Sequence, residues 1–197
     1  IKVINRLLEK ADTILIGGAM AYTFMLAMGL TVGKSLVEPD AGDVAQAALD
    51  KANELNVQFL IPNDHIVATP GATNQLENHR VSDDNNIPND VVGVDIGPET
   101  TAKFSEAIAG AKTILWNGPM GVFEFPAFSR GTRELAAALG SLNGATTILG
   151  GGSTAEAVDS LGIADRITHV STGGGASLEF LEGKTLPGVA ALLDKDT

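Results

Sequence analysis

Apolar and polar positions along this chain follow two periods. Short β-branched and leucine-rich runs at 13–16, 57–61, 91–96, 113–116, 146–149 and 168–171 have the length and composition of buried strands. Segments with helical spacing lie between them. Residues 1–11 carry Ile1, Ile4, Leu7, Leu8 and Ala11 on one stripe, and 19–28 is apolar almost throughout. Residues 43–55, 128–139, 154–161 and 176–181 read as further helices. Gly97-Pro98-Glu99-Thr100 opens another that runs to Ala109, with Pro98 and Glu99 suited to its first turn. Residues 63–88 break the alternation. They are rich in polar residues, among them Asn74, Asn78, Asp83, Asp84, Asn85 and Asn86, and are expected as an irregular excursion with room for a hairpin.

Alternating strands and helices predict an α/β fold. The expectation is a Rossmann-like three-layer domain: a mainly parallel six-stranded sheet, helices on both faces and right-handed crossovers. Sheets of this kind bind ligands outside the carboxyl ends of their strands. Gly17-Gly18, Gly93-Val94, residues 117–121, residues 150–154 and residues 172–175 are therefore expected along one sheet edge.

The strongest local signal is Ile148-Leu-Gly-Gly-Gly-Ser-Thr-Ala155. A strand, three bare glycines and a helix start present backbone N–H groups to an anion, with the helix dipole behind them. Gly150–Ala155 also matches G-x-G-x-x-[GA], the dinucleotide fingerprint, but the next strand ends in Ser171 and Thr172 where a ribose-binding acid is wanted. Ser153-Thr154-Ala155-Glu156 has the spacing of a capping box, so Ser153 can cap the helix, touch a ligand, or do both. Thr172-Gly173-Gly174-Gly175 is a second glycine turn that opens a helix. Neither turn has the lysine of a P-loop. Trp116, the single tryptophan, reads as core, with Asn117 after it able to bond a ligand and Glu124 able to accept from ribose hydroxyls. His65, His79 and His169 lack partners at metal-ligand spacing, and His169 reads as a packed strand residue.

Composition narrows the picture. At 197 residues one domain is expected, and with 44% hydrophobic but only 5% aromatic residues its core should be aliphatic. The formal net charge of −11 argues against nucleic-acid binding. It is also awkward for a phosphorylated ligand, which here must rely on backbone amides, metal or basic residues from elsewhere. The absence of cysteine excludes thiol chemistry and disulfides and fits a reducing cytosol. Residues 13–33 are uncharged and long enough for a membrane span, but Gly17-Gly18 and polar Thr13, Tyr22, Thr23 and Thr31 favour a strand, a turn and a buried helix. The chain opens mid-element on Ile1 and so reads as part of a longer protein. Residues from about 186 to 197 read as a tail that packs toward the rest of it.

Seven segments together carry a family resemblance. They are Ile16-Gly-Gly-Ala-Met-Ala-Tyr-Thr-Phe24, Gly33-Lys-Ser-Leu36, Asp95-Ile-Gly-Pro-Glu-Thr100, Ile114-Leu-Trp-Asn-Gly-Pro-Met-Gly-Val-Phe-Glu124, Ile148-Leu-Gly-Gly-Gly152, His169-Val-Ser-Thr-Gly-Gly-Gly-Ala-Ser177 and Leu181-Glu-Gly-Lys-Thr-Leu-Pro-Gly-Val189. In this order they resemble the C-terminal, nucleotide-binding domain of phosphoglycerate kinases. The resemblance implies one such domain over 1–197. It implies reversible, Mg²⁺-dependent phosphoryl transfer in glycolysis, from 1,3-bisphosphoglycerate to ADP, giving 3-phosphoglycerate and ATP, by a cytoplasmic enzyme that is monomeric at full length. It sets Gly17, Gly18, Gly93 and Val94 at the adenine pocket, Asn117 and Pro119 along the nucleotide, and Glu124 on the ribose. Gly151, Gly152, Ser153 and Thr154 would meet the phosphates and metal. Gly152, Gly173 and Gly174 would serve the transferring group.

Two departures from that family stand out. The N-terminal domain, whose Arg and His residues bind the sugar phosphate, is not in this chain, nor is the Gly-Gly-Ala-Lys segment expected before Ile1. This chain alone should therefore not catalyse. Ser153 also stands where the family typically carries an Asp that helps to hold the metal, which should lower metal affinity there. The competing readings are a nucleotide-binding module or diverged paralogue without turnover, and, from Gly150–Ala155 alone, an NAD-binding dehydrogenase domain.

Overall fold

The computed structural model describes residues 2–71, 76–82, 84–171 and 173–192. The chain runs through α1 (Lys2–Leu7), β1 (Thr13–Leu15), α2 (Gly18–Ala27), α3 (Gly42–Glu54) and β2 (Gln58–Leu60). A hairpin of β3 (His65–Pro70) and β4 (Leu76–Ser82) follows, then β5 (Val92–Ile96), α4 (Pro98–Ala109) and β6 (Thr113–Asn117). The last part comprises α5 (Arg130–Gly140), β7 (Thr146–Gly150), α6 (Gly152–Ser160), β8 (His169–Ser171), α7 (Gly174–Leu181) and α8 (Pro187–Ala190).

All six expected strands are present and the α/β class holds, but the single six-stranded sheet does not. Among the described residues, eight strands form three sheets: β1-β2 and β6-β7-β8, both parallel, and β4-β3-β5, antiparallel. The extra strands are the hairpin inside the polar excursion. Ile66, Val67 and Ala68 supply its inner side, while Glu77, His79 and Arg80 on β4 are exposed and give that stretch its loop-like composition. β3 pairs with β4 with a register shift at Val67/Thr69, and takes the ladder of β5 on its other side with a shift at Ile66/Val67. Residues 72–75 of the excursion, Thr172, and the end of the tail from residue 193 lie outside the described residues.

The core is aliphatic, as the composition requires. Ile96, Phe104, Leu135, Leu149 and Val158 are buried between β6-β7-β8 and its helices, and Leu15 and Leu60 of the β1-β2 sheet pack against the same cluster. The two parallel sheets thus share one core. The buried residues of α3 are Ala45, Ala48 and Ala52, with Leu49 partly buried beside them, and these small residues let it lie close to α2, whose Ala21 and Phe24 are buried in the same cluster. At ten residues, α2 accounts for much of the uncharged 13–33 run; no helix among the described residues is long and apolar enough to cross a membrane.

Candidate functional site

The segment after β6 ties the glycine turns together. Gly118 takes φ +96°, a conformation that favours glycine. Its N–H donates to the Thr154 hydroxyl on α6 at 2.7 Å, and its carbonyl accepts from the Trp116 indole at 2.6 Å. Met120 donates its N–H to the Thr132 hydroxyl on α5 at 2.9 Å and accepts from the Gly18 N–H at the start of α2 at 3.0 Å. Val122 donates to the Val94 carbonyl on β5 at 2.8 Å. One short loop is therefore bonded to α2, α5, α6 and β5.

The glycines at these contacts answer to close approach. A Cβ on Gly17 would lie 2.3 Å from Met120 Sδ, and one on Gly18 2.9 Å from the Pro119 carbonyl oxygen. A Cβ on Gly93 would meet the Tyr22 ring, its hydroxyl at 2.3 Å. Gly93 and Val94 are buried within β5 rather than at a strand end, so they back the site instead of edging it. The Gly93 N–H donates to Ser35 Oγ at 2.9 Å, which fixes the loop bearing Leu36, a side chain 73% exposed.

The start of α6 is built differently from those of α4 and α5. Its N-cap is Gly151, at φ +90°, and no side chain caps it. The expected cap at Ser153 is not formed: the helix begins two residues earlier, so Ser153 lies in the first turn, exposed, and Glu156 has no cap amide to reach. No backbone partner among the described residues reaches the amides of Gly152, Ser153 or Thr154. A Cβ on Gly152 would meet nothing within 4 Å. α7 repeats the arrangement beside it. Gly173 is its N-cap without a side-chain cap, and a Cβ on Gly175 would also enter open space. The two helices follow strands paired at Gly150↔Ser171, so their N-termini open side by side.

By contrast, α4 and α5 have carboxylates at their first turns. Asp64 accepts from the amides of Glu99 at 2.9 Å and Thr100 at 2.7 Å, and from the Thr100 hydroxyl at 2.6 Å. Asp95 accepts from the Gly131 amide at 2.8 Å and from that of Ile96 at 2.9 Å. Burial raises the Asp95 carboxyl to about 6. A Cβ on Gly121 would come within 2.5 Å of Asp95 Oδ1, so the far end of the loop rests on this group. His65, on the neighbouring strand, is buried, and burial lowers it to about 4, with Asp64 and the Asn85 backbone partly opposing the shift.

Of the expected site residues, Gly17, Gly18, Val94, Asn117, Pro119 and Thr154 are brought together by this loop. Asn117 lies over the cradle, its Oδ1 about 3 Å from where Cβ atoms on Gly150 and Gly151 would stand (3.0 and 3.1 Å). Glu124 is exposed and makes no side-chain hydrogen bond or ion pair among the described residues. Thr154 is fully buried, its hydroxyl turned toward Gly118. Trp116 is core, as expected, whereas His169 is exposed rather than packed. No cluster of three or more metal-ligating side chains occurs among the described residues. Ser153 Oγ supplies one neutral oxygen, which fits a hard cation carried mainly by a ligand's phosphates and not one held by the protein alone.

With this geometry in view, the family model described as phosphoglycerate kinase matches residues 1–184. The phosphoglycerate kinase of Clostridium novyi (strain NT) is 53% identical over 195 residues, covering 99% of this chain and 48% of that protein. That of Clostridium perfringens (strain SM101 / Type A) is 55% identical over 195 residues with the same coverage. The solved structure of phosphoglycerate kinase from Coxiella burnetii aligns with a TM-score of 0.88 at 42% identity, covering 96% of this chain and 48% of that one. The chain spans about half the length of the relatives it matches.

Proposed function

Since the chain belongs to the phosphoglycerate kinase family, we propose that it is the nucleotide-binding half of such an enzyme and that the open start of α6 receives the phosphates of ADP or ATP. The observation that carries this reading is the contrast between helix starts: two are held by carboxylates of the chain itself, and the two that open together carry only glycine and free amides. In the reaction proposed, the phosphoryl group leaves the acyl oxygen of 1,3-bisphosphoglycerate and joins a terminal β-phosphate oxygen of ADP, leaving 3-phosphoglycerate as a carboxylate. The amides of Gly152, Ser153 and Thr154 would orient the nucleotide phosphates, and those at Gly173 and Gly174 would face the transferring group, where charge spread over three oxygens is stabilised by fixed dipoles. Gly17 and Gly18, with Gly93 and Val94 behind them, would border the base, Asn117 and Pro119 would flank the nucleotide, and Glu124 would accept from the ribose. Mg²⁺, when bound with the nucleotide, would neutralise phosphate charge, with Ser153 Oγ as its neighbour on the protein.

The acidic balance of the chain fits a site completed by basic groups from the other half, so the chain alone is expected to bind nucleotide and not to turn over. A cytoplasmic enzyme of glycolysis, monomeric at full length, follows from the same reading. An NAD-binding domain is disfavoured because β8 ends at Ser171, without the acid that a ribose needs. Isothermal calorimetry of this chain with ADP, with and without Mg²⁺, tests the proposal. Saturable binding is expected, and none at millimolar ADP overturns it. Turnover by the isolated chain would overturn the division of labour between halves.

A further inference from the structure

Gly118 is gripped through both of the peptide groups that flank it. Its N–H meets the hydroxyl of Thr154, which is fully buried in the first turn of α6, and its carbonyl meets the indole of Trp116, itself only 6% exposed. Neither side chain is open to a ligand: the indole spends its one donor on Gly118, and the Thr154 side chain, which keeps an O–H donor, has no exposed surface. Gly118 adopts φ +96°, so the peptide is held in an orientation that an unrestrained loop would leave readily. On one side of this grip lies the open helix start at Gly152 and Ser153. On the other lie Pro119, Met120 and Val122, bonded onward to α5, α2 and β5.

The geometry points to Thr154 as a positioning residue. Its side chain acts on the loop that flanks the nucleotide and not on the nucleotide, and with Trp116 it couples the phosphate cradle to the base side of the site. This rests on the nucleotide-binding reading above. The physical reason is short. The Thr154 backbone amide belongs to the cradle, and its hydroxyl holds Gly118. Both ends of the nucleotide therefore meet elements joined through one residue, and a shift of the α6 first turn moves the loop with it. Removing the acceptor while keeping the shape leaves the Gly118 N–H without a partner and frees the peptide to rotate. Loss of that bond then misplaces Asn117 and Pro119, the residues on either side.

Trp116 is the only tryptophan in the chain, so its emission reports on the grip without any label. The test compares Thr154→Val, which keeps the volume and loses the acceptor, with Thr154→Ser, which keeps the acceptor. Each is measured for melting temperature, ligand-free tryptophan emission and ADP affinity by calorimetry. In Thr154→Val the emission should shift to longer wavelength before any ligand is added, and ADP binding should weaken roughly tenfold. Thr154→Ser should restore both. Wild-type affinity and emission in Thr154→Val overturn the inference while leaving the nucleotide reading standing, and so does a Thr154→Ser variant as impaired as Thr154→Val, because the methyl group would then matter and not the hydroxyl. Absence of ADP binding in the wild-type chain overturns both. Should Thr154→Val not fold, Thr154→Ser together with amide hydrogen exchange at Gly118 decides: a Gly118 amide that exchanges as fast as an open loop in the wild type overturns the grip.

Discussion

At Gly152 the absence of a side chain costs the fold little to change, because the space above it is empty of protein. Gly152→Val should therefore leave the melting temperature within about 2–4 °C of wild type, a shift worth no more than about 1 kcal/mol in a domain of this size. It should also abolish ADP binding in calorimetry, because the isopropyl group stands where a phosphate would. Ser153 is the neighbouring test. In a full-length enzyme, Ser153→Asp should tighten Mg²⁺-dependent nucleotide binding by adding a charged oxygen ligand, and an unchanged Mg²⁺ titration would show that this position does not adjoin the metal. Sequence reasoning singled out both residues and left Ser153 as a cap, a ligand contact or both; the cap is the alternative that the structure removes. The Ser-x-x-Glu spacing describes a cap that Gly151 has already displaced by starting the helix earlier. Thr154 was legible as a cradle residue, but the direction of its hydroxyl was not, because Gly118 lies 36 residues away in the chain.

Among elements, the strands with β-branched interiors were legible and the hairpin was only half so. β4 shows exposed Glu77, His79 and Arg80 to solvent, so its composition is that of a loop. The partner of each strand was not legible, since backbone ladders carry no residue code; hence β5 pairs with β3 where a parallel neighbour was expected. Remote caps are hidden for the same reason. Asp64→Ala should lower the stability of the chain by roughly 2 kcal/mol in urea unfolding, because it strands two amides of α4, and leave ADP affinity unchanged. The pairing of β3 with β5 also sets two buried groups with opposed titrations on adjacent strands. His65, held near 4 against an ordinary 6.5 by burial, with Asp64 and Asp84 only partly offsetting it, contributes stability above pH 6.5 that is lost as pH falls toward 4. Asp95, raised from 3.8 to about 6 by burial, with Glu134 adding to the rise and the Gly131 and Ile96 amides opposing it, contributes stability below pH 3.8 that is lost as pH rises through 6. Each is worth about 3 kcal/mol across its window, so the two nearly cancel. Denaturant unfolding at pH 4, 5, 6 and 7 should show a shallow profile in the wild type. Asp95→Asn should lose stability steeply on acidification, and His65→Gln should lose it as pH rises from 4 to 6.

For the whole molecule, the excess of acidic residues, −11 in formal charge, surrounds a site proposed for a polyanion. The chain should repel ADP at long range and capture it only at the helix starts. Association measured by stopped flow through Trp116 should therefore speed up with salt, as the screening length falls from about 30 Å at 0.01 M to about 8 Å at 0.15 M. A slowing would mean that local positive potential dominates. The α/β class and the glycine turns were readable from the chain alone. The division into three sheets around a shared core was not, because it depends on which segments meet and not on what each prefers.

The helix starts can also be compared by how many donors each presents. At α4 the first helical residue is Pro98, which has no N–H, so Asp64 meets two amides, those of Glu99 and Thr100, with its two oxygens. At α6 the same position is Gly152, which restores the missing donor, and the turn offers the amides of Gly152, Ser153 and Thr154. Two donors match the denticity of a carboxylate, and three match the terminal oxygens of a phosphoryl group. Between α4 and α6 the residue at the first helical position, proline or glycine, thus sets whether two donors or three are on offer; at α5, where Arg130 fills that position, Asp95 meets the Gly131 amide alone in the first turn.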